Sequence, residues 1–213
     1  MKITIDGYAG TGKSTAAAKL AEQLGFVHLN SGLHYRAYAF SAISMGVKGS
    51  GNPTESEILR VLLRTKLSIS PNEIMVNGNK VDAAALRTPE IEFLGARMAT
   101  NPLVRETVTL ELREIAINNN CVIEGRDTGT VVFPDAELKF FFTADLHTRV
   151  ERLSKGQEFN ASLMNDLILR DKMDVERKIS PLVRPVDAID IDTSHLNEQE
   201  VLTLLLSYHE KRS

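Results

Sequence analysis

The stretch Gly7-Tyr8-Ala9-Gly10-Thr11-Gly12-Lys13-Ser14 decides the fold of this chain. It matches the pattern G-x-x-x-x-G-K-[ST], in which backbone N–H groups surround a phosphate and the next helix presents its positive end to the same anion. Residues 2–6 predict a β-branched strand, and apolar residues recur at helical spacing between Ala17 and Leu24. Gly25 can close that helix. Strand, glycine loop and helix therefore follow in the order that a phosphate-binding loop requires.

The polar residues of this loop have expected roles. Lys13 would reach the β- and γ-phosphates of a bound nucleotide, and the Ser14 hydroxyl would hold Mg²⁺. The alternative, a glycine turn beside a surface lysine, leaves the flanking strand and helix unexplained. We expect a nucleotide to be bound by the whole loop and the residue after it: Gly7, Tyr8, Ala9, Gly10, Thr11, Gly12, Lys13, Ser14 and Thr15.

Composition limits the class of protein. At 213 residues the chain suits one domain with an insertion or a lid, or two small domains. Its 43% hydrophobic and 25% charged residues are typical of a soluble globular protein. A formal net charge of −3 gives no general reason to expect nucleic acid or an anionic membrane as a partner. Phosphate binding must therefore come from local clusters of basic residues.

The cysteine count and the apolar runs bear on location. The single cysteine, Cys121, lies in an apolar run, so an internal disulfide is impossible and a buried core position is expected. No apolar run approaches the ~18 residues of a membrane span, and the chain starts directly with a strand. We therefore expect no signal peptide, no membrane partner and a cytoplasmic enzyme.

The rest of the chain alternates predicted strands and helices, which indicates a parallel α/β domain. The further strands are predicted at 26–29, 120–124, 138–143 and 187–191. The further helices are predicted at 33–45, 54–64, 83–99, 102–118, 145–153 and 161–177, with a last helix capped by Asn197 and Glu200. A turn is predicted at Asn30-Ser31-Gly32.

Residues 66–82 depart from this alternation. Strands at 67–70, at 73–76 and around Val81 are separated by Pro71-Asn72 and Asn77-Gly78-Asn79, and Asn-Gly is a strong hairpin signal. The pattern predicts a small antiparallel sheet inserted into the α/β domain.

Four arginines, Arg36, Arg87, Arg105 and Arg126, lie near the ends of predicted elements. Phosphoryl transfer between two nucleotides requires cationic groups on both phosphates, and the guanidinium fork suits that task. Each arginine alone is more typical of a surface position, so only the set carries weight. Arg126 lies in the polar loop 125–130 after a predicted strand, where open α/β sheets bind ligands.

Arg170, Asp174 and Arg177 are spaced i, i+4 and i+7, so they share one helix face. Two interpretations remain open: a lid that brings these groups over a substrate, or a solvated ladder of ion pairs. The spacing alone favours the ladder. Arg149 and Arg152, on the helix upstream, moderate that preference.

Two further stretches, 29–36 and 125–136, together with the phosphate loop, resemble the bacterial-type cytidylate (CMP) kinases. The likeness runs almost end to end and includes residues 101–106 and 170–188. It implies transfer of the ATP γ-phosphate to CMP or dCMP with Mg²⁺. It also implies a P-loop kinase domain over 1–213, with a monophosphate-binding subdomain at 60–100 and a lid at 153–177.

The resemblance also implies roles for individual residues. Lys13, Arg126 and Arg170 would be catalytic, and Arg149 and Arg152 would approach the ATP phosphates when the lid closes. The residues expected around the acceptor nucleotide are Ser31, Arg36, Arg105, Arg126, Asp127, Arg170, Asp174 and Arg177. We expect small nucleotides as partners, no nucleic acid, and a monomer.

The chain departs from the family pattern at several positions. Asn30 and Glu124 stand where these kinases usually carry aspartate, which bears on the carboxylate that contacts Mg²⁺. Ala96 replaces a serine that often helps to read the base, and Met173 replaces a lid arginine. Two alternatives therefore stay open: a kinase of the same fold acting on UMP or another small acceptor, and a nucleotide-binding regulatory module.

Overall fold

The computed structural model describes residues 1–70, 73–154 and 161–212, which divide into two compact units. The first unit comprises Met1–His28 with Asn118–Ser213, and the second comprises Leu29–Ile117. The strands are β1 (Lys2–Gly7), β2 (Val27–Asn30), β3 (Leu67–Ser70), β4 (Glu73–Val76), β5 (Asn79–Lys80), β6 (Cys121–Gly125), β7 (Leu138–Thr143) and β8 (Ile189–Asp192). The helices are α1 (Lys13–Leu24), α2 (Ser31–Ser44), α3 (Glu55–Arg64), α4 (Pro89–Met98), α5 (Pro102–Ala116), α6 (Leu146–Ser154), α7 (Ala161–Glu176) and α8 (Glu198–Glu210).

The first unit is built on a sheet of order β2-β6-β1-β7-β8. Strand β1 pairs in parallel with β6 and β7, and β7 pairs in parallel with β8. Ile5 and Phe140 are fully buried beside Leu20 of α1 and Leu205 of α8. Burial of each such side chain contributes about 2 kcal/mol to folding. The core fixes the sheet whose carboxyl end carries the phosphate loop.

The second unit contains helices α2 to α5 and the antiparallel sheet β3-β4-β5. Asn77 and Gly78 have φ of 54° and 77°, as a tight hairpin turn requires. Ile74 and Val76 of β4 pack with Leu86 in the core of this unit. The predicted antiparallel sheet is therefore confirmed. The segment 60–100, predicted as a monophosphate-binding subdomain, lies within this larger unit.

Local signals at helix ends are confirmed. Gly25 ends α1 in the left-handed region with φ of 66°. Thr54 with Glu57 and Asn197 with Glu200 form capping boxes at the starts of α3 and α8. Across the part of the chain that the structure describes, no helix combines the length and the apolar character that crossing a bilayer needs.

Three local predictions are wrong. The helix expected at 83–99 is divided into a short 3₁₀ turn at Ala85–Arg87 and α4, because Pro89 forces the extended backbone of Thr88 that starts a new helix. Residues 30–32 do not form a turn, since the Asn30 side chain accepts a hydrogen bond from Leu33 N (2.9 Å) and caps α2. The third short strand is Asn79–Lys80 and ends before Val81.

Two predicted features fall wholly or partly outside the described residues. They are the turn at Pro71-Asn72 and the portion of the expected lid at 155–160. The described part of the segment 153–177 consists of the end of α6, the whole of α7 and Arg177, which directly follows α7.

Candidate phosphoryl-transfer site

The phosphate loop follows directly from β1 and leads into α1, as the sequence predicts. Gly7, Gly10 and Gly12 have φ of 146°, 77° and 84°, which only glycine adopts without strain. A Cβ atom on Gly7 would lie 2.1 Å from the carbonyl oxygen of Phe142 in β7. The Thr11 hydroxyl donates to Tyr8 O (2.9 Å), which closes the loop on itself. The glycines are therefore required by backbone conformation and by close approach.

Lys13 is buried at the end of this loop and is only 5% exposed. Its ammonium group donates to Tyr8 O (2.6 Å) and lies 3.4 Å from Thr11 Oγ1. Burial lowers the pKa of Lys13 well below its ordinary value, and the charge of Arg126 acts in the same direction. The carboxylates of Glu124, Asp174 and Asp6 oppose that shift. A cation held this way by backbone oxygen is placed to exchange that partner for a phosphate.

Glu124, at the end of β6, contacts the residue after that lysine. Ser14 Oγ donates to Glu124 Oε2 (2.7 Å), and His28 Nε2 lies 3.5 Å from Glu124 Oε1. Burial would raise the pKa of Glu124, but His28, the Lys13 charge and the Ser14 hydroxyl together lower it. Glu124 is therefore an ionised carboxylate beside a hydroxyl, and these hard oxygen donors are of the kind that Mg²⁺ prefers. The donor set fits a magnesium ion.

The loop after β6 is joined to the end of α7 by ion pairs. Arg126 Nε donates to Asp174 Oδ2 (2.6 Å), and Arg177 Nη2 donates to Asp127 Oδ1 (3.4 Å). The side chains of Arg126 and Asp174 are 19% and 17% exposed. Burial would raise the pKa of Asp174, but the charge of Arg126 and its hydrogen bond, followed by Arg177 and Arg170, lower it. This helix face is not a solvated ladder, so the interpretation that spacing alone favoured is wrong.

The two arginines of α6 lie close to the phosphate loop. Arg149 Nη1 donates to Asp171 Oδ2 (2.5 Å) and to Ala9 O (3.3 Å). Arg152 donates to Thr193 Oγ1 (2.9 Å) and to Thr193 O (2.6 Å), and the Thr193 hydroxyl donates in turn to Thr11 O (3.0 Å). Arg149 therefore contacts the loop directly, and Arg152 contacts it through Thr193.

The other predicted acceptor residues, Ser31, Arg36 and Arg105, belong to the second unit. Ser31 opens α2 and is buried, while Arg36 packs against Gly95 of α4. Arg105 is buried, donates to Ala99 O (3.0 Å) and lies 5.6 Å from the centroid of the Tyr35 ring. The structure thus brings together within the first unit the predicted residues Lys13, Ser14, Arg126, Asp127, Arg149, Arg152, Asp174 and Arg177.

The model of one protein family matches residues 3–211, and its description is cytidylate kinase. The chain belongs to the cytidylate kinase family. A cytidylate kinase of Thermotoga neapolitana is 42% identical, with 99% of this chain and 97% of that protein covered. A cytidylate kinase of Thermosipho melanesiensis is 40% identical, with 96% and 94% covered.

Solved structures agree with the fold. The shikimate kinase from Acinetobacter baumannii in complex with shikimate has a TM-score of 0.51 at 15% identity, with 100% of this chain and 94% of that chain covered. An uncharacterized protein from Eubacterium ventriosum has a TM-score of 0.54 at 14% identity, with 99% and 98% covered. Identities this low bear on the fold alone. Both structures agree with an α/β fold built on a parallel core sheet, and the predicted fold class is confirmed.

The structure locates the residues that depart from the family pattern. Asn30 caps α2, a role that aspartate would serve about equally well. Ala96 lies half-buried in α4, and Met173 is 47% exposed on α7. Arg87, one of the four arginines singled out by sequence, is exposed on the 3₁₀ turn.

Three residues of the site have contacts that sequence reasoning missed. Asp6 binds the loop after β6, Asp171 pairs with Arg149, and Thr193 joins Arg152 to the phosphate loop. Asp6 could have been noticed, since it immediately precedes the glycine loop. Thr193 carries no local signal, because it lies 182 positions from the residue it contacts.

Proposed function

We propose that this protein transfers the γ-phosphate of ATP to CMP and to dCMP, giving ADP with CDP or dCDP. The observation that carries the proposal is the placement of two cations, Lys13 of the phosphate loop and Arg126 of the loop after β6, close enough that the charge of Arg126 lowers the pKa of Lys13. Transfer between two phosphates needs positive charge on both. Membership of the cytidylate kinase family supports the choice of acceptor.

On the donor side, we infer that residues 7–15 surround the ATP phosphates with backbone N–H groups. Lys13 would leave Tyr8 O and bind the β- and γ-phosphate oxygens. Arg149 and Arg152 would approach the same phosphates from α6. Mg²⁺, when bound, would neutralise charge on the phosphates, and Ser14 with Glu124 would hold it directly or through water.

On the acceptor side, we infer that Arg36 and Arg126 bind the phosphate of CMP, so that its oxygen lies in line with the γ-phosphorus. That oxygen forms the new P–O bond while the bond from the γ-phosphorus to the leaving ADP oxygen breaks. Arg170 would stabilise the charge that spreads over the transferring group, and no general base is needed.

The base and the sugar would be read by other side chains of the acceptor set. Cytosine offers an amino donor and ring acceptors, which suit the carboxylate of Asp127 and the guanidinium groups of Arg105 and Arg177. Ser31 would lie beside the base, and Arg170 with Asp174 would contact the ribose. We further propose a lid at 153–177 that excludes water on closure, a monomeric enzyme, and a cytoplasmic location.

Acceptor specificity is tested by ADP formation with CMP, dCMP, UMP, AMP or GMP supplied singly, against a control without acceptor. Strong stimulation by CMP and dCMP alone is expected. Comparable stimulation by UMP would favour the alternative acceptor, and Ala96→Ser should then restore the preference for cytosine. ATP turnover that no acceptor stimulates would contradict the proposal and favour a regulatory nucleotide-binding protein.

Two variants test the cationic groups. Lys13→Ala should lower kcat by about 10³-fold or more and leave the fold intact. Lys19→Ala, the control on the exposed side of α1, should leave both kcat and the fold unchanged. Arg126→Ala should raise the KM for CMP and lower kcat. An effect of Arg126→Ala confined to the KM for ATP would move this arginine to the donor side.

A further inference from the structure

The carboxylate of Asp6 joins the strand of the phosphate loop to the loop that carries Arg126. It is fully buried at the end of β1, immediately before Gly7. Asp6 Oδ1 accepts from Thr128 N (2.9 Å) and from Thr128 Oγ1 (2.8 Å), and Asp6 Oδ2 accepts from Gly129 N (2.7 Å). Both carboxylate oxygens therefore bind the chain just after Asp127.

Burial of the Asp6 carboxylate carries an energetic cost that these three hydrogen bonds offset only in part. Burial raises the pKa of Asp6, the three hydrogen bonds from Thr128 and Gly129 lower it, and the charge of Asp127 raises it further, with a net increase. A buried carboxylate with a like charge nearby disfavours its own ionised form. An apolar side chain at this position would avoid that penalty but would leave two backbone N–H groups without a partner.

The position of Gly129 has no room for a side chain. A Cβ atom at this position would lie 2.8 Å from Thr4 Oγ1, so a larger residue would push the loop away from β1. The turn at Thr128–Val132 is a single π-helical turn, which places Thr128 N and Gly129 N on the side of the carboxylate. Such turns are uncommon and often occur at functional sites.

We propose that Asp6 is a positioning residue that sets the Arg126-Asp127 loop at a fixed distance from the phosphate loop. This inference rests on the proposed function, because Arg126 and Asp127 matter only if they bind the acceptor. The backbone of Asp6 is held independently by its register with Gly125 in β6 and Phe141 in β7. Loss of the carboxylate therefore releases the Arg126-Asp127 loop and leaves the phosphate loop in place.

The test is Asp6→Asn, which keeps the shape but turns an amide N–H₂ toward one of the donors that the carboxylate accepts from. Thr128→Val removes a single bond and serves as a milder variant. Thr4→Val is the matched control, since Thr4 is fully buried in the same strand and its hydroxyl has no hydrogen-bond partner among the described residues. Initial rates give KM for CMP and for ATP, calorimetry gives the Kd for CMP without ATP, and thermal melting reports folding.

Asp6→Asn should raise the KM and Kd for CMP about 10-fold and lower kcat about 10- to 100-fold, with the KM for ATP changed less than about 3-fold. Thr128→Val should raise the Kd for CMP about 3-fold, and Thr4→Val should change neither constant. Equal effects on CMP and ATP, or a lowered melting temperature with unchanged CMP constants, would overturn the inference. If Asp6→Asn does not fold, an unchanged Kd for CMP in Thr128→Val would overturn it. Wild-type protein that does not phosphorylate CMP would instead refute the proposed function, and this inference with it.

Discussion

The ion pair between Arg126 and Asp174 makes a quantitative prediction, because the chain contains an exposed pair of the same geometry. Arg126 Nε lies 2.6 Å from Asp174 Oδ2, and Arg184 Nε lies 2.7 Å from Asp190 Oδ1. The first pair is largely buried, whereas the side chains of Arg184 and Asp190 are 40% and 59% exposed. The two pairs have similar donor–acceptor distances and differ in burial, and a double-mutant cycle removes the contribution of the other hydrogen bonds that each arginine makes.

The expected coupling energies follow from that difference. At an effective dielectric constant of 20, two unit charges 4 Å apart attract by about 4 kcal/mol, and in water by about 1 kcal/mol. Desolvation and loss of side-chain freedom offset part of the attraction in the buried pair. We expect a coupling of about 2 kcal/mol for Arg126 with Asp174, and a clearly smaller coupling for the solvent-screened pair of Arg184 with Asp190.

The assay is a pair of double-mutant cycles without nucleotide, made with Arg126→Gln and Asp174→Asn and with Arg184→Gln and Asp190→Asn. Urea unfolding gives the free energy of each variant. For a chain of this size, each 1 kcal/mol lost should lower Tm by about 2–4 °C. A coupling between Arg126 and Asp174 no larger than that between Arg184 and Asp190 would refute the reasoning from burial.

Three other changes test separate parts of the structure. The pKa of His34 is lowered to about 4, mainly by burial, so its unfolded form binds a proton at higher pH. The free energy of unfolding should therefore be highest above about pH 6.5 and fall by about 3 kcal/mol as pH drops toward 4. Urea unfolding across that range measures the change. Gly7→Ala should cost at least about 3 kcal/mol or prevent accumulation of folded protein, because its Cβ would meet the Phe142 carbonyl. Thr54→Ala should lower the free energy of unfolding by about 1 kcal/mol, since it removes the capping box with Glu57. Thermal melting measures this loss.

Each of these predictions has its own control. His34→Asn should flatten the pH profile between 4 and 6.5, and an unchanged profile would show that other groups cause it. Gly78→Ala, also at a positive φ (77°) but with no atom within 4 Å of the added Cβ, should cost only about 1 kcal/mol. Equal losses in the two glycine variants would contradict the close approach at Gly7. Thr107→Ala, in the interior of α5, should cost less than Thr54→Ala if the cap is responsible.

The features that sequence predicts well here are carried by short-range signals. The phosphate loop needs only glycines, a lysine and a hydroxyl at fixed spacing, and its strand and helix follow from local periodicity. The capping boxes that begin at Thr54 and Asn197 are likewise recognised from four consecutive residues each. The single helix predicted at 83–99 is wrong for a local reason, because Pro89 favours a break at the preceding residue.

The remaining contacts of the site depend on pairs that are distant in the chain. The hydrogen bond from Ser14 to Glu124 spans 110 positions, and the bond from Arg126 to Asp174 spans 48. The spacing of the charged residues on α7 could not tell whether the helix faces solvent or another charged loop. Only the folded sheet, which brings the ends of β1 and β6 side by side, decides between those outcomes.

The central claim is that phosphate passes from ATP to CMP, and the fate of the phosphate tests it most directly. The measurement uses ATP labelled in the γ-phosphate, with Mg²⁺ and CMP, and follows the label by mass spectrometry. We predict that the label appears in CDP, with one ADP formed for each CDP, and that Lys13→Ala abolishes the transfer. Label found only in inorganic phosphate, or no turnover with CMP at all, would contradict the account.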